Sequence, residues 1–113
     1  MNTNLKAQMV YAEGVRFAIT NDEAEEIGRA FLYVMNNDLH EEPFGFLEDV
    51  YVSEQARGQG VGSQLIDKVI ETARQRGCYK IVATSRFERE QVHTFYEKFG
   101  FENRGYEFRK DLV

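Results

Sequence analysis

The stretch "VYVSEQARGQGVGSQ", residues 50–64, places glycine at 58, 60 and 62, between an extended apolar run and a helical pattern. Glycine inside regular structure costs roughly 0.5–1 kcal/mol relative to alanine. Three glycines at one junction predict a need for bare backbone there. The order strand, glycines, helix suggests what the need is. The first four N–H groups of a helix have no partner within it. The helix dipole adds roughly half a positive charge at that end. Removing side chains from the approach lets an anion reach those groups. The run Gly58-Gln59-Gly60-Val61-Gly62 fails the dinucleotide spacing G-x-G-x-x-G and lacks the Gly-Lys-Ser/Thr of a P-loop. Taken by itself, the junction reads either as a phosphate cradle or as a tight strand-to-helix connection.

The flanking patterns set the architecture. Residues 5–12 and 15–20 read as extended, with Glu13-Gly14 as a tight turn between them and 21–26 as a polar loop. Residues 27–37 read as a long strand, with Ala30, Leu32 and Val34 on one face and Phe31, Tyr33 and Met35 on the other. A further strand is expected over 46–52. Leu65, Ile66, Val69, Ile70 and Ala73 then recur at helical spacing, and Gly77 is a natural stop. A strand follows over 79–85, a second helix over 88–100 and a strand or hairpin over 101–112. Four strands, helix, strand, helix, strand predict an α/β fold: a mixed sheet with at least one parallel crossover, flanked by helices.

Composition narrows the function classes. At 113 residues the chain is long enough for one domain with a modest core. A net charge of −5 argues against a duplex nucleic-acid binder and mildly favours cationic partners. No apolar run reaches the roughly 18 residues that span a bilayer, so no membrane role is expected. The polar start "MNTNLKAQ" carries no signal-peptide core, which points to the cytoplasm. Cys78 is the only cysteine, so no internal disulfide and no cysteine metal cluster are expected. It reads as a small buried apolar residue. His40 and His93 have no metal-ligand spacing.

Two motifs together resolve the glycine junction. Arg57-Gly58-Gln59-Gly60-Val61-Gly62 resembles the Arg/Gln-x-x-Gly-x-Gly/Ala signature of the GNAT acetyltransferases, and "HTFYEKFGF" (93–101) resembles that family's Phe-Tyr pair ahead of Gly-Phe. The resemblance covers residues 27–112. It implies the GNAT acyl-CoA N-acyltransferase fold in one domain, 1–113, with acetyl-coenzyme A as co-substrate and no metal. It implies that Arg57, Gly58, Gln59, Gly60, Val61, Gly62 and Ser63 hold the pyrophosphate. The pantetheine arm would lie between the strands at 46–52 and 79–85, on backbone groups of Val50, Tyr51 and Val52. Arg89 is a candidate phosphate contact, with a solvated surface charge as the plainer reading.

Acetyl transfer to an amine needs a base, a donor to the thioester carbonyl and an acid for the departing thiolate. The resemblance makes Tyr96 the acid, and a phenol near pKa 10 is protonated at neutral pH. Periodicity alone would make Tyr96 a core aromatic. "LED" at 47–49 resembles the spermidine/spermine-type amine acetyltransferases. That carry-over makes Glu48 the base, often through water, and Asp49 a contact for a cationic acceptor. Strand alternation predicts that these two carboxylates point to opposite faces and so have separate roles. A strand-end salt bridge is the plainer reading of the pair. His93 competes for proton transfer, but an exposed helix residue is the favoured reading.

The expected activity is direct attack of an acceptor nitrogen in a ternary complex, on a small polyamine-like amine first and a protein amine second. One departure stands out. The family usually begins with a strand and two helices, and here the residues before the long strand read as extended. Three outcomes stay open: a wide site for a protein amine, a homodimer that completes it, or a non-catalytic acyl-coenzyme A sensor or interaction module.

Overall fold

The computed structural model describes residues 1–113. Strands β1 (Glu13–Thr20), β2 (Glu26–Met35) and β3 (Phe44–Val52) form an antiparallel meander. A short 3-10 turn (Glu54–Ala56) leads to helix α1 (Val61–Gln75), strand β4 (Ile81–Ala83) and helix α2 (Glu90–Lys98). The sheet order is β1-β2-β3-β4, and β4 lies parallel to β3. The expected mixed sheet and its parallel crossover, β3–α1–β4, are therefore present.

Alternation along β1 and β2 builds the inner face. Ala30 and Leu32 are fully buried, while Phe17, Ile19 and Val34 pack around them. Helix α1 closes this face with Val61, Leu65, Ile66, Val69 and Ala73, all buried. Each large aliphatic side chain so covered stabilises the fold by roughly 1.5–3 kcal/mol. The start of β2 is held close to α1. A Cβ on Gly28 would come within 2.7 Å of the Val61 Cγ1 atom, so glycine is required there.

Both helices stop in the same way. Gly77 (φ +76°) follows α1, with Cys78 N–H donating to Ala73 O and Gly77 N–H to Arg74 O, both 3.0 Å. Gly100 (φ +90°) follows α2, with Phe101 N–H donating to Tyr96 O at 3.2 Å and Gly100 N–H to Glu97 O at 3.0 Å. These are Schellman caps, which need a left-handed residue just past the helix.

Three expectations fail at the ends of the chain and in one turn. Residues 5–12 form no strand and are exposed, and Glu13 and Gly14 begin β1 instead of forming a turn. Residues 101–113 form neither strand nor hairpin and are almost wholly exposed. The sheet thus has three strands before α1, not four, and none after α2. The physical reason is shared: β1 and β4 are the edge strands, and neither segment pairs with them. Strand-like composition without a partner leaves backbone groups to water.

Candidate active site

Strands β3 and β4 pair only at Gly45–Ile81, Phe46–Val82 and Leu47–Ala83. Beyond Leu47, β3 runs on to Val52 with no neighbour on that side. The two strands therefore part, and one edge of β3 from Glu48 to Val52 has no strand partner. Val50, Tyr51 and Val52, the expected backbone contacts, all lie on this unpaired stretch.

The free edge leads directly to the glycine junction. Gly58 (φ +80°) and Gly60 (φ +82°) are left-handed, and a Cβ at either would meet nothing within 4 Å. They serve backbone conformation and open approach, not internal packing. Gly60 is the N-cap of α1 and supplies no side-chain cap. The helical ladder begins with Gln64 N–H donating to Gly60 O at 3.0 Å. The N–H groups of Val61, Gly62 and Ser63 stand ahead of that ladder at the positive end of the dipole. A diphosphate fits this chemistry, with room for its oxygens where side chains are missing.

Gly62 differs from these two in facing α2 and β3 and not open space. A Cβ there would lie 3.4 Å from the Phe95 Cζ atom and 3.7 Å from the Val52 Cγ2 atom. These are ordinary contact distances, so packing against α2 would admit a Cβ at this position. Arg57 donates from Nε to Val52 O at 3.2 Å, and Gln59 from Nε2 to Gln55 O at 3.2 Å. Both side chains brace the loop. Arg89 is the exposed N-cap of α2, where its backbone N–H donates to Arg86 O.

Tyr96 sits in the last turn of α2, and the cap explains the motif spacing. Phe101, three residues past Lys98 at the end of the helix, both donates its N–H to Tyr96 O and packs its ring 5.3 Å from the Tyr96 ring. The pair Tyr96…Gly100-Phe101 is thus one capping unit, with the apolar contact that accompanies a Schellman motif. Phe95 packs 5.8 Å from Tyr96 on its other side. Burial pushes the Tyr96 hydroxyl above its ordinary pKa of 10.0, and the nearby Glu48 carboxylate pushes it further. The phenol is a proton donor over the whole neutral range.

Glu48 and Asp49 do not point to opposite faces. On β2 Phe31 pairs with Glu48 and Arg29 with Tyr51, so two residues of β3, Asp49 and Val50, oppose Ala30 alone. This is a β-bulge, and Asp49 takes φ +50° within it. The extra residue switches the alternation. Leu47 faces the core before the bulge, and Val50 and Val52 pack against it afterwards. Glu48 and Asp49 therefore line one small recess with Phe31 and Tyr33, on the face away from α1. Two carboxylates beside two aromatic rings suit a cationic ligand.

Asp49 is also bound to the protein. Arg29 donates from Nε and Nη2 to its two carboxylate oxygens at 2.9 and 3.1 Å. The guanidinium lies 4.8 Å from the Tyr51 ring centroid. The Arg29 pair holds the Asp49 carboxyl below its ordinary value. Sequence reasoning assigned Arg29 nothing, because its partner lies 20 residues away and only the strand pairing brings them together. Ser85, at the exit of β4, was likewise passed over. Its Oγ is buried without a hydrogen-bond partner, in the groove that Tyr96 and His93 also line.

His93 donates or accepts nowhere near the carboxylates. Its Nε2 lies 2.8 Å from Arg86 O, so the ring ties the β4–α2 connection to the helix. Cys78 is half-buried against the core, and burial raises its thiol pKa. No group of three or more His, Cys, Asp or Glu side chains converges in the structure. No helix is long and apolar enough to cross a membrane.

The family model for the acetyltransferase (GNAT) family matches residues 3–101. This chain belongs to the GNAT family. It is 34% identical over 101 residues to an aminoglycoside N(6')-acetyltransferase type 1 of Stenotrophomonas maltophilia, covering 87% of this chain and 66% of the relative. It is 41% identical over 68 residues to the glucosamine 6-phosphate N-acetyltransferase of Trypanosoma brucei brucei, covering 60% of this chain and 44% of that one. The chain thus spans less than two thirds of the length of these curated relatives. A crystal structure of a Trypanosoma brucei acetyltransferase superposes with a TM-score of 0.81 at 32% identity, over 88% of this chain and 69% of the other. AAC(6')-Iy, solved with the bisubstrate analogue CoA-S-monomethyl-acetylneamine, superposes at a TM-score of 0.71 and 26% identity, over 87% of this chain and 69% of the other.

Proposed function

We propose that this GNAT chain transfers an acetyl group from acetyl-coenzyme A to the primary amine of a small cationic acceptor, by direct attack in a ternary complex. One observation carries the reading. The β3–β4 pairing stops at Leu47–Ala83, and the free edge of β3 runs straight into a glycine-capped helix N-terminus. A slot with a phosphate cradle at its end is what a long diphosphate thioester needs.

Within that reading the diphosphate rests on the backbone from Gly58 to Ser63, with Arg57 and Gln59 holding the loop. Backbone groups of Val50, Tyr51 and Val52 hold the arm, and one N–H among them polarises the acetyl carbonyl. Glu48 takes the proton from the acceptor ammonium, directly or through water. Asp49 adds negative charge to the acceptor recess. Tyr96 returns a proton to the thiolate. Arg89, exposed at the start of α2, contributes at most a peripheral phosphate contact. The relatives' names support an amine acceptor, since they include aminoglycoside, glucosamine 6-phosphate and aminoalkylphosphonate N-acetyltransferases. The acidic, aromatic recess favours a polyamine-like acceptor over an anionic one. A protein amine is the second candidate.

The test is a calorimetric titration of acetyl-coenzyme A into the protein and into Gly60→Asp, followed by a thiol-release assay over an amine panel. Aspartate tolerates the left-handed conformation better than most residues, so the variant is expected to fold. Binding that Gly60→Asp abolishes supports the cradle. Tight binding with no transfer to any amine would leave an acyl-coenzyme A sensor as the reading. No binding to the parent protein would remove both.

A further inference from the structure

Asp49 is one of two non-glycine residues with positive φ in the molecule, and the other, Ala24 (φ 63°), lies in the β1–β2 turn. A left-handed non-glycine residue inside a strand is strained, and it persists only where its surroundings hold it. The bulge at Asp49 decides the orientation of everything after it on β3. Without the extra residue, plain alternation would turn Asp49 toward the core and Val50 away from it. The chain therefore needs something to hold residue 49 in place.

We propose that Arg29 is the positioning residue of this site, clamping the β3 bulge through its two-pronged bond to Asp49 and its stacking on Tyr51. The geometry is specific to arginine. The fork Nε/Nη2 meets both oxygens of the Asp49 carboxylate, at 2.9 and 3.1 Å, while the flat guanidinium covers Tyr51 at 4.8 Å. Arg29 and Tyr51 are also direct cross-strand partners. One side chain thus bridges the residue inside the bulge and the first residue beyond it that regains pairing. Lysine has neither the fork nor the flat face. A second pair, Arg16 with Glu26 at 2.7 and 2.9 Å, flanks the clamp. Arg29 touches no reacting atom in this arrangement. It acts by fixing where Glu48 and the edge of β3 beyond the bulge stand relative to Tyr96.

This inference rests on the acetyl-transfer reading, and its test separates the two. Arg29→Ala is expected to lower kcat at least tenfold, because small displacements of reacting groups are costly, with the acetyl-coenzyme A Kd unchanged within about twofold. Arg29→Lys is expected to recover little of that loss. The diagnostic is Asp49→Gly, in which glycine takes the left-handed conformation without a clamp. Loss of its carboxylate raises the acceptor KM, yet in that background the added Arg29→Ala change is expected to leave kcat unchanged. An equal loss of kcat from Arg29→Ala in both backgrounds overturns the proposal. So does an unaltered kcat in the single variant. Should the parent protein transfer to no amine, the clamp is still read directly. The strong intraresidue amide-to-Hα NOE that marks positive φ at Asp49 must weaken in Arg29→Ala, and its persistence overturns the proposal irrespective of activity.

Discussion

The two helices divide the labour of the fold between them. Helix α1 runs for 15 residues and buries six of them: Val61, Leu65, Ile66, Val69, Thr72 and Ala73. Helix α2 runs for nine and buries none, although Phe95, Tyr96 and Phe99 are half-covered. The first is the scaffold, and its start is the proposed cradle. The second is a light element that carries the candidate acid, held by one cap and a cluster of rings. An acid that must reach a departing thiolate is better placed on a lightly packed helix than in the core. The difference teaches that in this chain most of the burial and the proposed acid sit on different helices, and the two can be perturbed separately.

Tyr96→Phe should separate them most sharply. Loss of the hydroxyl is expected to lower transfer by two to four orders of magnitude, the usual range for a lost general acid, with denaturant stability nearly unchanged. A variant that unfolds instead would mean that α2 is part of the scaffold. Ile66→Ala attacks the other side. Ile66 is fully buried, so the cavity should cost about 2–5 kcal/mol in urea unfolding. A cost below about 1 kcal/mol would show that α1 is less central than its burial implies.

Gly100→Ala tests the cap that joins the two regions. Alanine at φ +90° should destabilise the chain by more than about 1 kcal/mol, and loosening the Tyr96–Phe101 unit should slow transfer as well. Native-state hydrogen exchange should show α2 amides opening at lower free energy than those of α1. Equal protection would erase the proposed division.

The smallest expected effects lie in pH. In the fold the Tyr96 hydroxyl is held above 10.0, so the folded state keeps a proton that the unfolded chain gives up. The stabilisation is complete below about pH 10 and is lost as pH rises through the raised folded value. Urea melts across the alkaline range should lose part of that slope in Tyr96→Phe. Asp49 is held below 3.8, so its pair with Arg29 stabilises above that value and is lost as pH falls. Asp49→Asn should flatten the acid side slightly, since the pair is exposed to screening.

Most of the frame was legible because local patterns carried it. The α1 stripe Leu65, Ile66, Val69, Ile70 and Ala73 and the stop at Gly77 recur with the helix period, and the inner face of β2 follows strict alternation. The ends of the chain were misread because residues 5–12 and 101–112 have strand-like composition, and composition does not reveal whether a partner edge is occupied. Glu48 and Asp49 were set on opposite faces because alternation assumes no inserted residue. A bulge leaves no local mark when the bulged residue is an aspartate and not a glycine.

By itself, then, the sequence determined the helix behind its glycines, the parallel crossover and the two motifs that resemble the GNAT family. These were carried by local patterns and motif spacing, which need no knowledge of register. Only the tertiary structure decided that β3 parts from β4 after Leu47, that Asp49 enters a left-handed bulge, and that Arg29 reaches across from β2 to hold it. Those features depend on register between distant strands, and register is a property of the assembled sheet.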